Sequence, residues 1–146
     1  MSRTKPAEVR FYVDADLLGL ARVLGGLRPD VTYPGDPGAV IHKRLRPPCP
    51  VTSPAAKDSE WIPEVARRGW LIITRDRHIQ AHRLEIQAVR DNGARMVALN
   101  GEDARSVFTQ LEVLMCRWRD IEGHTAGVSP FIFSATRTAM RAIPLT

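Results

Sequence analysis

Four successive apolar residues open the run Trp70-Leu71-Ile72-Ile73-Thr74, and this run constrains the fold more than any other segment. A strand with one wet face alternates apolar and polar residues. A run without alternation is covered on both faces, as a central parallel strand is when helices pack above and below it. Its surroundings carry the same message. Residues 9–14, VRFYVD, read as a short strand ending on an acid. ADLLGLARVLGGL at 15–27 has apolar residues at 17, 18, 20, 21, 24 and 27, the spacing of a helix, and Gly25-Gly26 marks its expected end. Val31-Thr32-Tyr33 reads as a second strand. A helix is expected from Asp58 or Ser59 to Arg68, another over 80–92, and a long one from an Asp103 cap to about Ile121. Arg95–Leu99, Phe131–Phe133 and Ala142–Pro144 supply the remaining strands. Strands alternating with helices predict an α/β fold of three layers, with a mostly parallel central sheet between helices.

The chain has 146 residues, enough for one domain with a substantial core, and no repeat or composition break divides it. Residues 1–146 are therefore read as a single domain. Residues 34–57 stand out within it as a basic, proline-rich loop. They hold six of the eleven prolines and the cluster His42-Lys43-Arg44-Leu45-Arg46. No apolar run approaches the roughly 20 residues that cross a bilayer, and MSRTKPAEVR lacks the apolar core of a signal peptide. A cytoplasmic protein without membrane contact is expected. Cys49 and Cys116 lie in unlike contexts without a zinc-type spacing, so two free thiols are expected. The net charge of +5, almost all of it arginine, points toward an anionic partner, since guanidinium forks match phosphate oxygens.

Three acids fall where such a sheet places its chemistry, beyond the carboxyl ends of the strands. Asp14 ends the first strand, and Asp16 follows two residues later. Asp76 lies just past Ile72-Ile73-Thr74, and Asp58 opens the helix before that strand. Each alone would more often be a cap or a turn former. Carboxylates that converge repel one another unless a cation joins them, and ligation by oxygen alone selects Mg²⁺ or Mn²⁺ over zinc. Such a site polarises a phosphodiester and activates water.

At these residues the chain resembles a known family. Phe11-Tyr12-Val13-Asp14, Asp58-Ser59-Glu60-Trp61-Ile62 and Ile72-Ile73-Thr74-Arg75-Asp76-Arg77-His78-Ile79 resemble the PIN-like nucleases, most closely the VapC-like toxins of type II toxin–antitoxin systems. The resemblance runs from residue 9 to about residue 100. It implies a Mg²⁺- or Mn²⁺-dependent endoribonuclease that leaves a 3′-hydroxyl and a 5′-phosphate. The catalytic and metal-holding acids it implies are Asp14, Asp58 and Asp76, with Glu60 as rival to Asp58. Asp16 is either a further ligand or a helix cap. The partners it implies are an RNA substrate and a cognate antitoxin protein, with a homodimer open. Two departures stand out. Many relatives carry Glu-Asn after the first acid, where this chain has Ala15-Asp16, and a further acid where it has His78.

Arg75, Arg77 and His78 are candidates to hold the RNA backbone, and the 42–46 cluster is an outer one. Two rival readings remain. Asp14-Ala15-Asp16 also fits the strand-Asp-x-Asp opening of HAD-like phosphatases, but Lys5, Lys43 and Lys57 lie in poor contexts for the lysine that chemistry needs. A non-catalytic PIN-like module that binds RNA or protein is the other.

Overall fold

The structure, a computed structural model, describes residues 4–76 and 79–145, with the backbone alone at 76 and 79–82. A short strand β1 (Lys5–Pro6) precedes β2 (Phe11–Val13), a 3₁₀ turn (Ala15–Leu17) and α1 (Leu18–Leu27). Then come β3 (Val31–Thr32), β4 (Ala39–Ile41), β5 (Arg44–Arg46), α2 (Asp58–Arg67) and β6 (Leu71–Asp76). The chain continues through α3 (Ile79–Asn92), β7 (Arg95–Asn100), α4 (Val107–Gly123), β8 (Phe131–Ala135) and β9 (Met140–Ala142).

Six strands form the main sheet in the order β3-β2-β6-β7-β8-β9. All neighbours run parallel except β9, an antiparallel edge. Side chains of alternate parity leave its two faces. Phe11, Val13, Leu71, Ile73, Val97 and Leu99 pack with Leu20, Leu24, Val113 and Leu114 of α1 and α4. Tyr12, Ile72, Met96 and Ile132 pack with Trp61, Ile62, Val65 and Val89 of α2 and α3. The apolar run of β6 is thus covered on both sides, and Leu71, Ile72 and Ile73 have no exposed surface. Among the described residues, no helix is long and apolar enough to cross a membrane. Cys49 is buried and Cys116 exposed, and both are free.

The proline-rich segment is more than a loop. Within it β4 and β5 form a hairpin, and β1 adds to β5 to complete a second, three-stranded sheet. His42 and Lys43 make the turn, with φ of 50° and 61°. Two left-handed central residues match the twist of a tight hairpin but are unusual without glycine or asparagine. The basic cluster is divided by this geometry. Arg46 is 3% exposed, with Nε 2.7 Å from Asp36 Oδ2 and Nη1 donating to the carbonyls of Gly25 (2.8 Å) and Arg28 (3.1 Å). Arg46 therefore ties the hairpin to α1 and is no surface contact for phosphate.

α1 ends at Leu27, one residue past the Gly25-Gly26 pair that marks its C-terminal end. A Cβ on Gly25 would stand 3.1 Å from the Tyr33 ring and 3.3 Å from Arg46 Nη2, so the glycine admits them against the helix. At α4 the cap is Ser106, in a reciprocal capping box with Thr109. Asp103, the expected cap, instead accepts from the Arg137 amide at 3.0 Å.

Candidate active site

The order of the sheet selects one crevice. From β2 the chain moves through α1 to β3 on one side, then through α2 to β6 on the other. The direction of winding reverses between β2 and β6, and open α/β sheets bind ligands beyond the carboxyl ends at such a switch point. Asp14 follows β2 there, and its amide donates to the Ile73 carbonyl at 2.9 Å, prolonging the parallel pairing.

Asp14 does two things at once. Its Oδ1 accepts from the Ala15 amide at 2.6 Å and caps the 3₁₀ turn. Its Oδ2 lies 3.2 Å from Thr74 Oγ1. That same hydroxyl lies 3.0 Å from Asp16 Oδ2, which also accepts from the Arg75 amide at 3.2 Å. A hydroxyl carries one hydrogen, so Thr74 serves only one of the two carboxylates at a time. Burial, and next the charge of Asp16, push the Asp14 carboxyl up to about 7 from 3.8, with Asp58 adding to the rise.

Asp58 is the first residue of α2, not its cap, since Lys57 holds that position without a side-chain bond. The Asp58 carboxylate accepts from Trp61 Nε1 at 3.0 Å. Trp61 in turn stacks on Tyr12, with ring centroids 5.0 Å apart. Both rival acids are exposed; the Asp58 charge helps to raise the Asp14 carboxyl, and Glu60 lines a cavity between residues 50–56 and α2. Asp76 is the last residue of β6, opposite Asn100 of β7. Its backbone therefore stands at the same carboxyl edge as Asp14. Arg77 and His78 lie outside the described residues. The Arg75 guanidinium is turned to the Gly101 carbonyl at 3.4 Å and borders a small cavity with Glu85, so what reaches the acids is its backbone amide.

Two residues of the site were not singled out by sequence. Thr74 is 2% exposed, and a buried hydroxyl ending an apolar strand was the available signal, since such a group needs a partner. Tyr12 lies two residues before Asp14, on the same face of the sheet. Its hydroxyl is buried without a hydrogen-bond partner among the described residues, and burial, then Asp14, raise its pKa far above the ordinary tyrosine value.

The donors at this crevice are carboxylate oxygens and a hydroxyl, a set that suits Mg²⁺ or Mn²⁺. Among the described side chains, no group of three His, Cys, Asp or Glu could hold an ion by itself. The Asp14–Asp16 pair fits as part of such a site and requires at least one further ligand. Residues 9–101 match a family model described as a PIN-like domain. No curated protein and no solved structure matches the chain.

Proposed function

Because the chain belongs to the PIN-like domain family, we propose that it is a divalent-metal-dependent endoribonuclease of the cytoplasm, the toxin of a type II toxin–antitoxin pair. The observation that carries this reading is the pair Asp14 and Asp16 competing for one Thr74 hydrogen at the switch point of the sheet. Asp14, Asp16, Asp58 and Asp76 are the proposed holders of Mg²⁺ or Mn²⁺. When bound, the ion would supply Lewis-acid polarisation of the phosphodiester and a water of lowered pKa. The chain's own residues would do the positioning. The Ala15 amide fixes one oxygen of Asp14, the Arg75 amide fixes one of Asp16, and the Trp61 indole fixes one of Asp58. Arg77 and His78 are the proposed contacts to the RNA backbone. Arg75 joins them only if its guanidinium leaves the Gly101 carbonyl. The net charge of +5 supports a polyanionic substrate, and an antitoxin protein is the proposed partner that restrains the activity.

Purified protein should cut a mixed RNA pool with Mg²⁺ or Mn²⁺ and stop on adding EDTA. Millimolar Mn²⁺ should raise its melting temperature, because a ligand bound only to the folded state stabilises it. Asp14→Asn should remove most of that rise together with the cleavage, and Asp58→Asn should lower cleavage at every sequence. RNA binding without cleavage or a Mn²⁺ shift would make the chain a non-catalytic binding module. Hydrolysis of a generic phosphomonoester without RNA cleavage would transfer it to the phosphatases.

A further inference from the structure

Beside the acid crevice, a cavity of about 460 Å³ opens between residues 50–56 and the first turns of α2. That volume lies within the roughly 300–1,000 Å³ of small-molecule sites. Its lining is mostly polar, with the hydroxyls of Thr52 and Ser53 and the carboxylates of Glu60 and Glu64, and Val51, Ala55, Ala56 and Trp61 supply a smaller apolar part. The two acids are not equivalent. Glu64 is engaged by Arg67 and by Arg68, the latter at 3.0 Å. Glu60 has no hydrogen bond or ion pair from its side chain among the described residues, so its carboxylate is an acceptor without a donor. Both oxygens can accept, and neither can donate.

This lining selects among the parts of an RNA chain. The Glu60 carboxylate, which no arginine among the described residues offsets, repels phosphate and disfavours the backbone there. A lining of hydroxyls, a smaller apolar part and one unpaired carboxylate suits a neutral, flat base that presents N–H donors on its edge. Single-stranded RNA is read in this way, by hydrogen bonds to the edges of splayed bases and by packing on their faces. Guanine alone among the four bases presents an imino and an amino donor side by side, matching the two oxygens of one carboxylate. The cavity is also joined to the acids. Trp61 lines it, donates to Asp58 and stacks on Tyr12, two residues before Asp14. We propose that this cavity receives a guanine base next to the phosphate being cleaved, with Glu60 reading its imino and amino edge. The proposal rests on the ribonuclease reading and names the sequence preference of that activity.

Binding and cleavage test it separately. With EDTA present, so that no cleavage occurs, guanosine should perturb the amide NMR signals of residues 50–56 and 60–64. It should bind at least about tenfold more tightly than adenosine, cytidine or uridine. Glu60→Gln, which keeps size and one acceptor, should lose most of that preference. Ala56→Trp, which fills the cavity, should abolish guanosine binding. Asp58→Asn should leave guanosine binding intact while removing cleavage, which separates this site from the acid site. With Mn²⁺, cut sites mapped on a random RNA pool should be enriched in guanine for wild type and lose that enrichment in Glu60→Gln. Equal binding of the four nucleosides, no binding of any, or a guanosine preference unchanged in Glu60→Gln would overturn the proposal, even if the protein cuts RNA. Guanosine preference without RNA cleavage would leave the pocket standing and sink the ribonuclease reading.

Discussion

Two carboxylates in this molecule, Asp36 fully buried and Asp14 half-buried, have opposite surroundings. Asp36 is 3% exposed and fully provided for. One of its oxygens accepts from Thr32 Oγ1 and Arg46 Nε, and the other from the Gly38 amide. A positive guanidinium stands against it. Asp14, at the carboxyl end of β2, has one amide, half a claim on the Thr74 hydroxyl, and another carboxylate beside it. Burial costs a carboxylate several kcal/mol unless something opposite in charge is supplied. At Asp36 the fold supplies it from within, so the pair is closed and holds the hairpin in place. At Asp14 the described residues place a second carboxylate beside it and no ion-pairing cation, an arrangement that favours a proton on Asp14. A buried acid reports a function only when its own chain leaves it incomplete.

The largest effect should come from breaking the closed pair. Arg46→Met keeps the volume and removes the charge, leaving Asp36 buried opposite an apolar chain and the Gly25 and Arg28 carbonyls without their donor. Removing one member of a buried ion pair costs about 3–5 kcal/mol. Urea unfolding should show a loss of that size. A loss below about 1 kcal/mol would mean that the hairpin opens to water readily, and the contrast with Asp14 would disappear.

The open site should give an effect of opposite sign. The folded Asp14 carboxyl is raised to about 7 from 3.8, so between those values the folded state binds more protons than the unfolded chain. Its contribution is then complete below about pH 4, is lost as pH rises through about 7, and stays lost above. Metal-free protein should be less stable at pH 8 than at pH 5 by up to roughly 2–4 kcal/mol from this group. Asp14→Asn should flatten that slope and stabilise the metal-free protein at pH 8, because an amide keeps the acceptor for Ala15 and drops the repulsion with Asp16. Denaturant melts of both proteins at the two pH values decide it. A slope that survives in Asp14→Asn would assign the titration to another group.

The difference between the two regions also sets what the sequence could reveal. Strand-end acids and the unbroken apolar run of β6 are local patterns, so the three-layer parallel sheet and the placement of Asp14 and Asp76 at one edge follow from spacing alone. The hairpin at 39–46 was illegible because its turn, His42-Lys43, carries none of the residues that ordinarily accept a left-handed backbone. The role of Arg46 was hidden for a related reason. Its partners, Asp36 and the end of α1, lie 10 to 21 residues away, and nothing in HKRLR distinguishes the one arginine that turns inward. Asp103 looked like a cap because it precedes a helix, but the reciprocal Ser106–Thr109 box three residues on starts it instead. The importance of Thr74 lies in what it is shared between, and that sharing exists only once residues 14, 16 and 74 are brought together.

The smallest effect is the most discriminating. Thr74→Val is nearly isosteric, preserves β-strand preference in β6, and deletes one hydroxyl. At pH 8, with Asp14 ionised, it removes the donor that both carboxyl groups approach, and a lost hydrogen bond to a charged group costs about 1.5–3 kcal/mol. Relief through local water should bring the observed loss to the lower end of that range. At pH 5, Asp14 carries its own proton and no longer needs a donor, so the hydroxyl matters less and the loss should shrink to roughly a few tenths of a kcal/mol. Melting temperatures of wild type and Thr74→Val at both pH values, without metal, check this directly. A loss that is the same at pH 5 and pH 8 would mean that Thr74 only completes the packing of β6. The sharing of one hydrogen between two acids, on which the reading of the site depends, would then have no energetic consequence.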